Sequence, residues 1–420
     1  MSNKQELPAG TVDRGSINPK TGEPWLHPNL ATYGDFFVPF PLYVDLMKGW
    51  ENLDDDSWYM RPWPFTRNTD TFPIGFVSPE KIPCNDKFMT RLMDYWEIKK
   101  SDLNDVTENV WPEHIKNSLR TLNETLSKRD MSLSHTLFTN LHSSTLCHGM
   151  QQGYQAHFWI ANFNEVSEKR VRLIYDRMIS LAEFVEVMPT YCPEQGGLPT
   201  ELNPDVILPA ILHVIKRTVG LNHLRFPVYQ GGLIGAYTTT CGIVDERILD
   251  SLYTAVKIHR LLKGNRASAI CDLGAGNGLI IFWLYQFGYT NLYTADLPHI
   301  NLVQGFFLGT EFGYDQIKFV NETHNAPIKI LSMNDFFNYG FDLVINVDSL
   351  PEIDKSWATR YLDHISQSVD IFYSINHETT VQDQMHVSKT IRENYPNLVS
   401  LGKSRNWMRP GYVEDVFVQK

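Results

Sequence analysis

Between an apolar run and a helical one, ICDLGAGNGLI (Ile270–Ile280) places Gly274, Gly276 and Gly278 at alternate positions, with Asp272 ahead of them and Ala275 and Asn277 between. A strand-to-helix turn this bare lets a ligand lie against main-chain N–H groups at a helix N-terminus. Dinucleotides, nucleoside triphosphates and adenosyl sulfoniums all use such turns. A triphosphate loop needs Gly-Lys-Ser/Thr after the turn, whereas Gly278 is followed by Leu279 and Ile280. A dinucleotide fingerprint needs its third glycine three residues after the second, and Leu279 stands there. A carboxylate beside the loop repels a pyrophosphate and attracts an ammonium and a sulfonium. The residues point to S-adenosyl-L-methionine (SAM).

Methyl transfer from a sulfonium is an in-line displacement, so acceptor, methyl carbon and sulfur must be held in a row. A hydroxyl acceptor benefits from a general base or a metal. In open α/β sheets such groups stand at the carboxyl ends of strands. Asp348 and Glu352 follow the run FDLVINV; His377 and Glu378 follow VDIFYSI. We expect His377 to take the proton, with Asp348 or Glu352 as the alternative base. His377 also has an ordinary reading, as a cap of the helix over TTVQDQM. His299 in DLPHI reads as a helix start packed near the adenine. Trp407, Arg405 and Arg409 in SRNWMRPGY read either as an acceptor-pocket wall or as a plain edge hairpin.

These residues need a scaffold. After Gly264 short apolar runs alternate with helical patterns: strands SAICDL, NLYTAD, IKILS, FDLVINV, VDIFYSI, LVSLG and VEDVFVQ, and helices LIIFWLYQFG, HINLVQGFFLGTEFG, SWATRYLDHISQ and TVQDQMHVSKTIREN. IKFVNE competes with IKILS for the third strand. The alternation predicts an α/β fold, a doubly wound Rossmann-like sheet, mostly parallel, with an antiparallel edge pair closing it. Ahead of it, SLRTLNETLSKRDMSLSHTLFTNL, SEKRVRLIYDRMISLAEFVEVM, NPDVILPAILHVIKRTVG and IVDERILDSLYTAVKIHRLLKG carry helical periodicity. Asn203 and Pro204 suit a helix start and Gly264 a helix end. The expected organisation is an extended arm over 1–35, a mainly helical substrate, lid or oligomerisation domain over 36–240, and a methyltransferase domain over 241–420.

DLGAGNG, followed by the acidic end of YTADLP, resembles the glycine-rich motif of class I SAM-dependent methyltransferases. The resemblance spans roughly 268–418. It implies that Asp272, Gly274, Ala275, Gly276, Asn277 and Gly278 bind the cofactor, that Asp296 beside Leu297 receives the ribose hydroxyls, and that Asn334 and Asp335 in SMNDFF lie at the adenine. It also implies that the strand ending in Asn346 and Val347 faces the methyl group. NVDSLPEI, YSINHE and WMRPGYVED, with the glycine-rich VYQGGLIGAY, are similar to sugar O-methyltransferases of polysaccharide and natural-product clusters. DLPHI is similar to small-molecule O-methyltransferases, whose histidine after the fourth strand is replaced here by Asp348 and Ser349. Some macrolide-sugar methyltransferases imply a further option, Mg²⁺ held by Asp348 and Glu378, whose carboxylate oxygens suit that ion. The expected acceptor is a small, sugar-like molecule; N- or C-methylation on the same scaffold, or a non-catalytic SAM-binding scaffold, are the alternatives.

A net charge of −11 disfavours a nucleic-acid or anionic-membrane partner. The longest apolar window, VILPAILHVI (Val206–Ile215), is too short to span a bilayer, and MSNKQELPAGTVDRG lacks a signal core. Five scattered cysteines without a CxxC pair fit free thiols. Nothing near Cys147-His148 completes a zinc set. The expectation is a cytoplasmic protein, with a homodimer as one assembly.

Overall fold

The computed structural model describes residues 85–105, 113–139, 166–190, 203–228, 237–378 and 385–420. The expected arm, the aromatic stretches near GDFFVPFPLY and DSWYMRPWPF, Cys147-His148, both QGGL stretches and most of TVQDQM lie outside them.

Helices α1 (Asp86–Lys99), α2 (Glu113–Ser127), α3 (Met131–Thr139), α4 (Val166–Phe184) and α5 (Pro204–Val219) come first. A small antiparallel pair, β1 (Tyr237–Thr239) and β2 (Gly242–Val244), leads into α6 (Glu246–Leu261). There follow β3 (Ile270–Leu273), α7 (Leu279–Gln286), β4 (Leu292–Asp296), α8 (Pro298–Phe312), β5 (Ile317–Phe319), β6 (Ile328–Ser332) and β7 (Phe341–Val347). The chain closes with α9 (Lys355–Ser368), β8 (Val369–His377), α10 (Val387–Asn394), β9 (Leu398–Arg405) and β10 (Tyr412–Gln419).

One 8-stranded sheet runs β5-β6-β4-β3-β7-β8-β10-β9. It is parallel except for β10, which lies antiparallel to both β8 and β9. Strands β3, β4, β6 and β7 are buried on both faces, which is why they read as near-continuous apolar runs. Alternate residues serve opposite layers: Ile270, Leu292, Ile328, Leu343 and Tyr373 join the core under α6, α7 and α8. Cys271, Tyr293, Leu331, Val344 and Phe372 join the core under α9 and α10. From β3 the chain winds outward through β4 to β5 at the edge, fills the place between them with β6, then returns across β3 to β7. The β3–β7 seam is therefore the switch point, where a crevice opens at the carboxyl ends of the strands.

The expected doubly wound sheet and its antiparallel edge pair are present. IKFVNE and IKILS do not exclude one another: β6 pairs with β4 as the third strand, and β5 adds an edge beside it. The pattern from Ser118 to Leu141 is interrupted. Arg129 adopts φ 55°, and Asp130 starts a new helix by accepting from Leu133 N at 2.9 Å. A capping aspartate outcompetes the continuous apolar periodicity there. Asn203 caps α5 through Asp205 N, Pro204 begins it, and Gly220 ends it in the left-handed region. Gly264, at φ 73° and three residues beyond the end of α6, donates to His259 O.

The first helices pack on the sheet's own helices and share their core. Phe88 stacks on Tyr314 with centroids 4.1 Å apart, and Phe138 meets Phe306 at 5.3 Å. Arg91 grips Glu322 at 2.5 and 2.8 Å and the carbonyls of Tyr314 and Ile317. On α8, Gly305 lets the Phe319 ring lie against the helix, where a Cβ would overlap it. Gly305→Ala should therefore destabilise the fold by about 1–3 kcal/mol through overpacking, whereas Gly402→Ala, with open space around it, should change stability by less than about 0.5 kcal/mol; paired denaturant titrations check both.

Candidate functional site

At the switch point β3 ends in Leu273 and the chain turns through Gly274 (φ 73°), Gly276 (φ 56°) and Gly278 (φ 84°) into α7. All three stand in the left-handed region, which only glycine adopts without penalty. A Cβ on Gly274 would overlap Ser349 Oγ in the loop after β7, so the two loops meet across the seam. Gly274, Ala275, Gly276 and Asn277 remain partly accessible. Gly278 caps α7 without any side-chain hydrogen bond, which leaves a helix N-terminus facing the crevice.

Two carboxylates stand against this turn. Asp272 is buried, and its Oδ2 has no hydrogen-bond partner. Burial, and then the charge of Asp296, push its pKa up to about 8. Asp296 ends β4 and accepts from Gly276 N at 2.9 Å, Gln304 Nε2 at 3.2 Å and its neighbour Leu297 N at 2.8 Å. Burial still raises it to about 7, against the pull of those three donors. Further unpartnered atoms lie buried on the same part of the fold: Thr294 Oγ1 on β4, and Asn301 Oδ1 and Gln304 Oε1 on α8. Orphaned buried polar groups are costly, and their concentration beside a bare glycine turn is what a polar ligand site requires.

Asn301 and Gln304 are site residues that the motif reading missed. Gln304 also donates to Gly276 O at 2.9 Å, and Asn301 Nδ2 bonds Tyr95 Oη at 2.6 Å and Leu331 O at 2.7 Å. Their signal was available: polar residues three apart in the otherwise apolar HINLVQGFF share one helix face. His299 is buried at the start of α8, and burial pushes it down to about 3, so it is neutral.

The end of α1 reaches the carboxyl end of β6. Lys99 Nζ bonds Asp335 Oδ1 at 2.7 Å, and Asp335 Oδ2 accepts from Ser332 Oγ at 2.7 Å. Asp102 Oδ2 lies 2.8 Å from the same hydroxyl. Asp335 thus lies just past the carboxyl end of β6, matched by a lysine from the first helices. Asn334, half-buried, precedes it and makes no capping bond. Asn346 is wholly buried; its Nδ2 donates to Leu273 O at 2.9 Å and to Ser349 Oγ, and its Oδ1 accepts from Asn376. Its polar atoms tie β3, β7 and β8 together at their ends. Val347, half-buried, closes β7.

Across the seam, the loop after β7, the end of β8 and the β9–β10 connection bring Asp348, Glu352, His377 and Arg409 together. His377 Nε2 lies 4.0 Å from Asp348 Oδ1. Asp348 Oδ2 accepts from Tyr412 Oη at 2.6 Å and Arg409 Nη2 at 3.0 Å. Arg409 therefore turns toward Asp348. Trp407 Nε1 instead ties the β9–β10 connection to Ser180 O on α4 at 2.7 Å. Glu352 is exposed, yet the partial burial of its carboxyl and then the Asp348 charge push it up to about 7, against the pull of Arg247 and Arg409. Glu378 faces away into another cluster: Lys403 Nζ contacts its carboxylate, and His386 Nε2 approaches to 3.5 Å. Asp348 and Glu378 each have a cationic partner of their own, and among the described residues no three His, Cys, Asp or Glu side chains gather as metal ligands.

No family model matches the sequence, and no curated protein matches it. Solved structures do align with the sheet region. Magnesium protoporphyrin IX methyltransferase from Synechocystis PCC 6803, with S-adenosyl-L-homocysteine bound, is 14% identical over 41% of this chain and 84% of its own, at a TM-score of 0.30. A glycopeptide N-methyltransferase complexed with sinefungin is 11% identical over 41% of this chain and 87% of its own, at 0.33. Both are methyltransferases. Among the described residues no helix is long and apolar enough to cross a membrane.

The raised pKa of Asp272 carries a stability cost with a definite sign. Its folded value, about 8, lies above the 3.8 of an unperturbed aspartate. The folded state therefore binds the extra proton, and stability present at low pH is lost as pH climbs toward 8. Asp272→Asn should melt higher than the parent without ligand, by about 2–4 °C for each kcal/mol relieved, with the gap widening from pH 5 to pH 8 in calorimetric scans.

Proposed function

We propose that this chain is a SAM-dependent methyltransferase that methylates a hydroxyl of a sugar or sugar-containing small molecule. One observation carries the first part: an unpartnered, buried carboxylate oxygen on Asp272, beside three left-handed glycines at the switch point of a doubly wound sheet. The residues present fit the cofactor. Asp272 offers a negative charge to its ammonium, and the uncapped α7 N-terminus suits its carboxylate. Asp296, at the end of the adjacent strand, receives the ribose hydroxyls. Asn334 and Asp335 flank the adenine, Asp335 with its charge matched by Lys99.

When bound, the cofactor supplies an electrophilic methyl group on a sulfonium. The chain's own residues do the rest. The ends of β7 and β8 present Asp348, Glu352 and His377 to the acceptor side of the seam. His377 removes the hydroxyl proton as the oxygen attacks. Glu352, titrating near neutrality at about 7, is the alternative base, since a base works best with a pKa near the working pH. What supports a sugar acceptor is convergence. The segments NVDSLPEI, YSINHE and WMRPGYVED, separate in sequence, meet through Asp348, His377, Arg409 and Tyr412.

The test is calorimetric titration of the protein with SAM in two buffers of different ionisation heat. Asp272 is mostly protonated at pH 7 without ligand and must ionise to receive a cation. Binding should release up to one proton at pH 7, and affinity should rise between pH 6 and pH 7. Asp296→Ala should weaken binding by roughly ten- to a hundredfold, the value of hydrogen bonds to a charged group. Heat from NAD instead of SAM would overturn the cofactor reading. Mass increments of a single methyl on candidate sugar acceptors, absent with His377→Ala, test the second part.

A further inference from the structure

Asp348 has an unusual backbone and an unusual set of partners. It is a non-glycine residue at φ 63°, a conformation costing of order 1 kcal/mol unless its surroundings impose it. They do. Its N–H donates to Ile375 O on β8 at 3.0 Å, two residues before His377. Its Oδ2 is gripped by Tyr412 Oη at 2.6 Å and Arg409 Nη2 at 3.0 Å. Tyr412 is the register partner of His377 across the antiparallel β8–β10 pair, and the two rings meet edge-on with centroids 6.0 Å apart. The other oxygen, Oδ1, is buried, has no hydrogen bond, and points along the 4.0 Å gap to His377 Nε2.

Arg409 is itself held. Burial works against its charge, but Tyr412, Asp348 and Asp250 outweigh that and raise its pKa. Asp250 on α6 lies 3.0 Å from Arg177 Nε, and Arg177 Nη1 bonds Asp176 at 2.7 Å, the latter pair on α4 and almost wholly buried. Charges of alternating sign thus run from Asp176 through Arg177, Asp250 and Arg409 to Asp348. A carboxylate fixed on one oxygen by this ladder, with its other oxygen facing an imidazole, is built to orient that imidazole.

We propose that Asp348 is a positioning residue that accepts a hydrogen bond from His377 Nε2–H and so fixes which ring nitrogen faces the acceptor. This rests on the methyltransferase reading above and adds the partner that makes His377 a base of defined tautomer. The new O–CH₃ bond forms as the S–CH₃ bond breaks and its electron pair stays on sulfur. The hydroxyl proton passes to Nδ1, giving an imidazolium whose positive charge Asp348 balances without itself taking the proton. Tyr412 and Arg409 keep the carboxylate aimed. Closing the 4.0 Å separation to a hydrogen bond needs a ring shift of about 1 Å.

Long-range ¹H–¹⁵N imidazole spectra of histidine-labelled, full-length protein, with the His377 signals assigned by His377→Gln, test this without any acceptor. Expected for the neutral ring is the Nε2–H tautomer in the wild type, and loss of that bias in Asp348→Asn. Tyr412→Phe, which keeps the ring and its packing, should shift the same signals. An Nδ1–H tautomer in the wild type, or His377 signals unmoved in both variants, overturns the proposal. SAM titration of the same samples separates the two readings. Normal binding with unmoved His377 signals sinks the positioning role alone, whereas absent binding in the wild type sinks the methyltransferase reading whatever the tautomer.

Discussion

The structure is organised around a carboxylate that has been taken out of water without being paired. Asp272 sits at the end of the central strand, buried, with one oxygen unpartnered and a second carboxylate, Asp296, close enough to raise its pKa further. A fold does not keep such a group for stability. What surrounds it is arranged to tolerate it: left-handed glycines remove side chains from the turn, an uncapped helix end brings partial positive charge, and Gln304 and the Gly276 N–H steady the neighbouring aspartate. The rest of the sheet supplies the rigid frame on which these pieces keep their places.

Much of that frame was legible in residue order. Parallel strands buried on both faces announce themselves as short apolar runs, and helices between them leave few topologies. The glycine turn, Asp272 and Asp296 were legible because their spacing is local: the turn itself carries its chemistry. The place of Asp335 after a strand was legible, though not the lysine that meets it. Lys99 arrives from 236 residues away in sequence, and no local pattern announces such a partner. The break at Arg129 was hidden for a different reason. The apolar positions keep helical phase through it, and only the capping preference of Asp130 tells them apart.

The acceptor side was the harder half to read. FDLVINVDSLPEI contains no glycine to warn that Asp348 adopts a left-handed conformation. Arg409 and Tyr412 have no meaning at that aspartate until the antiparallel register of β8 and β10 is known, since a slip of one residue would turn every side chain to the other face. Glu378, beside His377 in sequence but one residue past the end of β8, meets Lys403 and His386 instead of Asp348. Adjacency in the chain suggested a shared site for the two residues; their partners separate them.

The alternating charges from Asp176 to Asp348 also constrain how this protein can diverge. Each member compensates the next in surroundings that screen charge poorly, so neutralising any one leaves a buried neighbour unmatched, a far larger penalty than removing an exposed pair. Substitutions along the ladder are therefore viable in complementary pairs. Relatives of this chain should vary freely in the exposed residues of α4 and α6 while Arg177 and Asp250 are exchanged together, an inherited covariation that links two helices far apart in sequence.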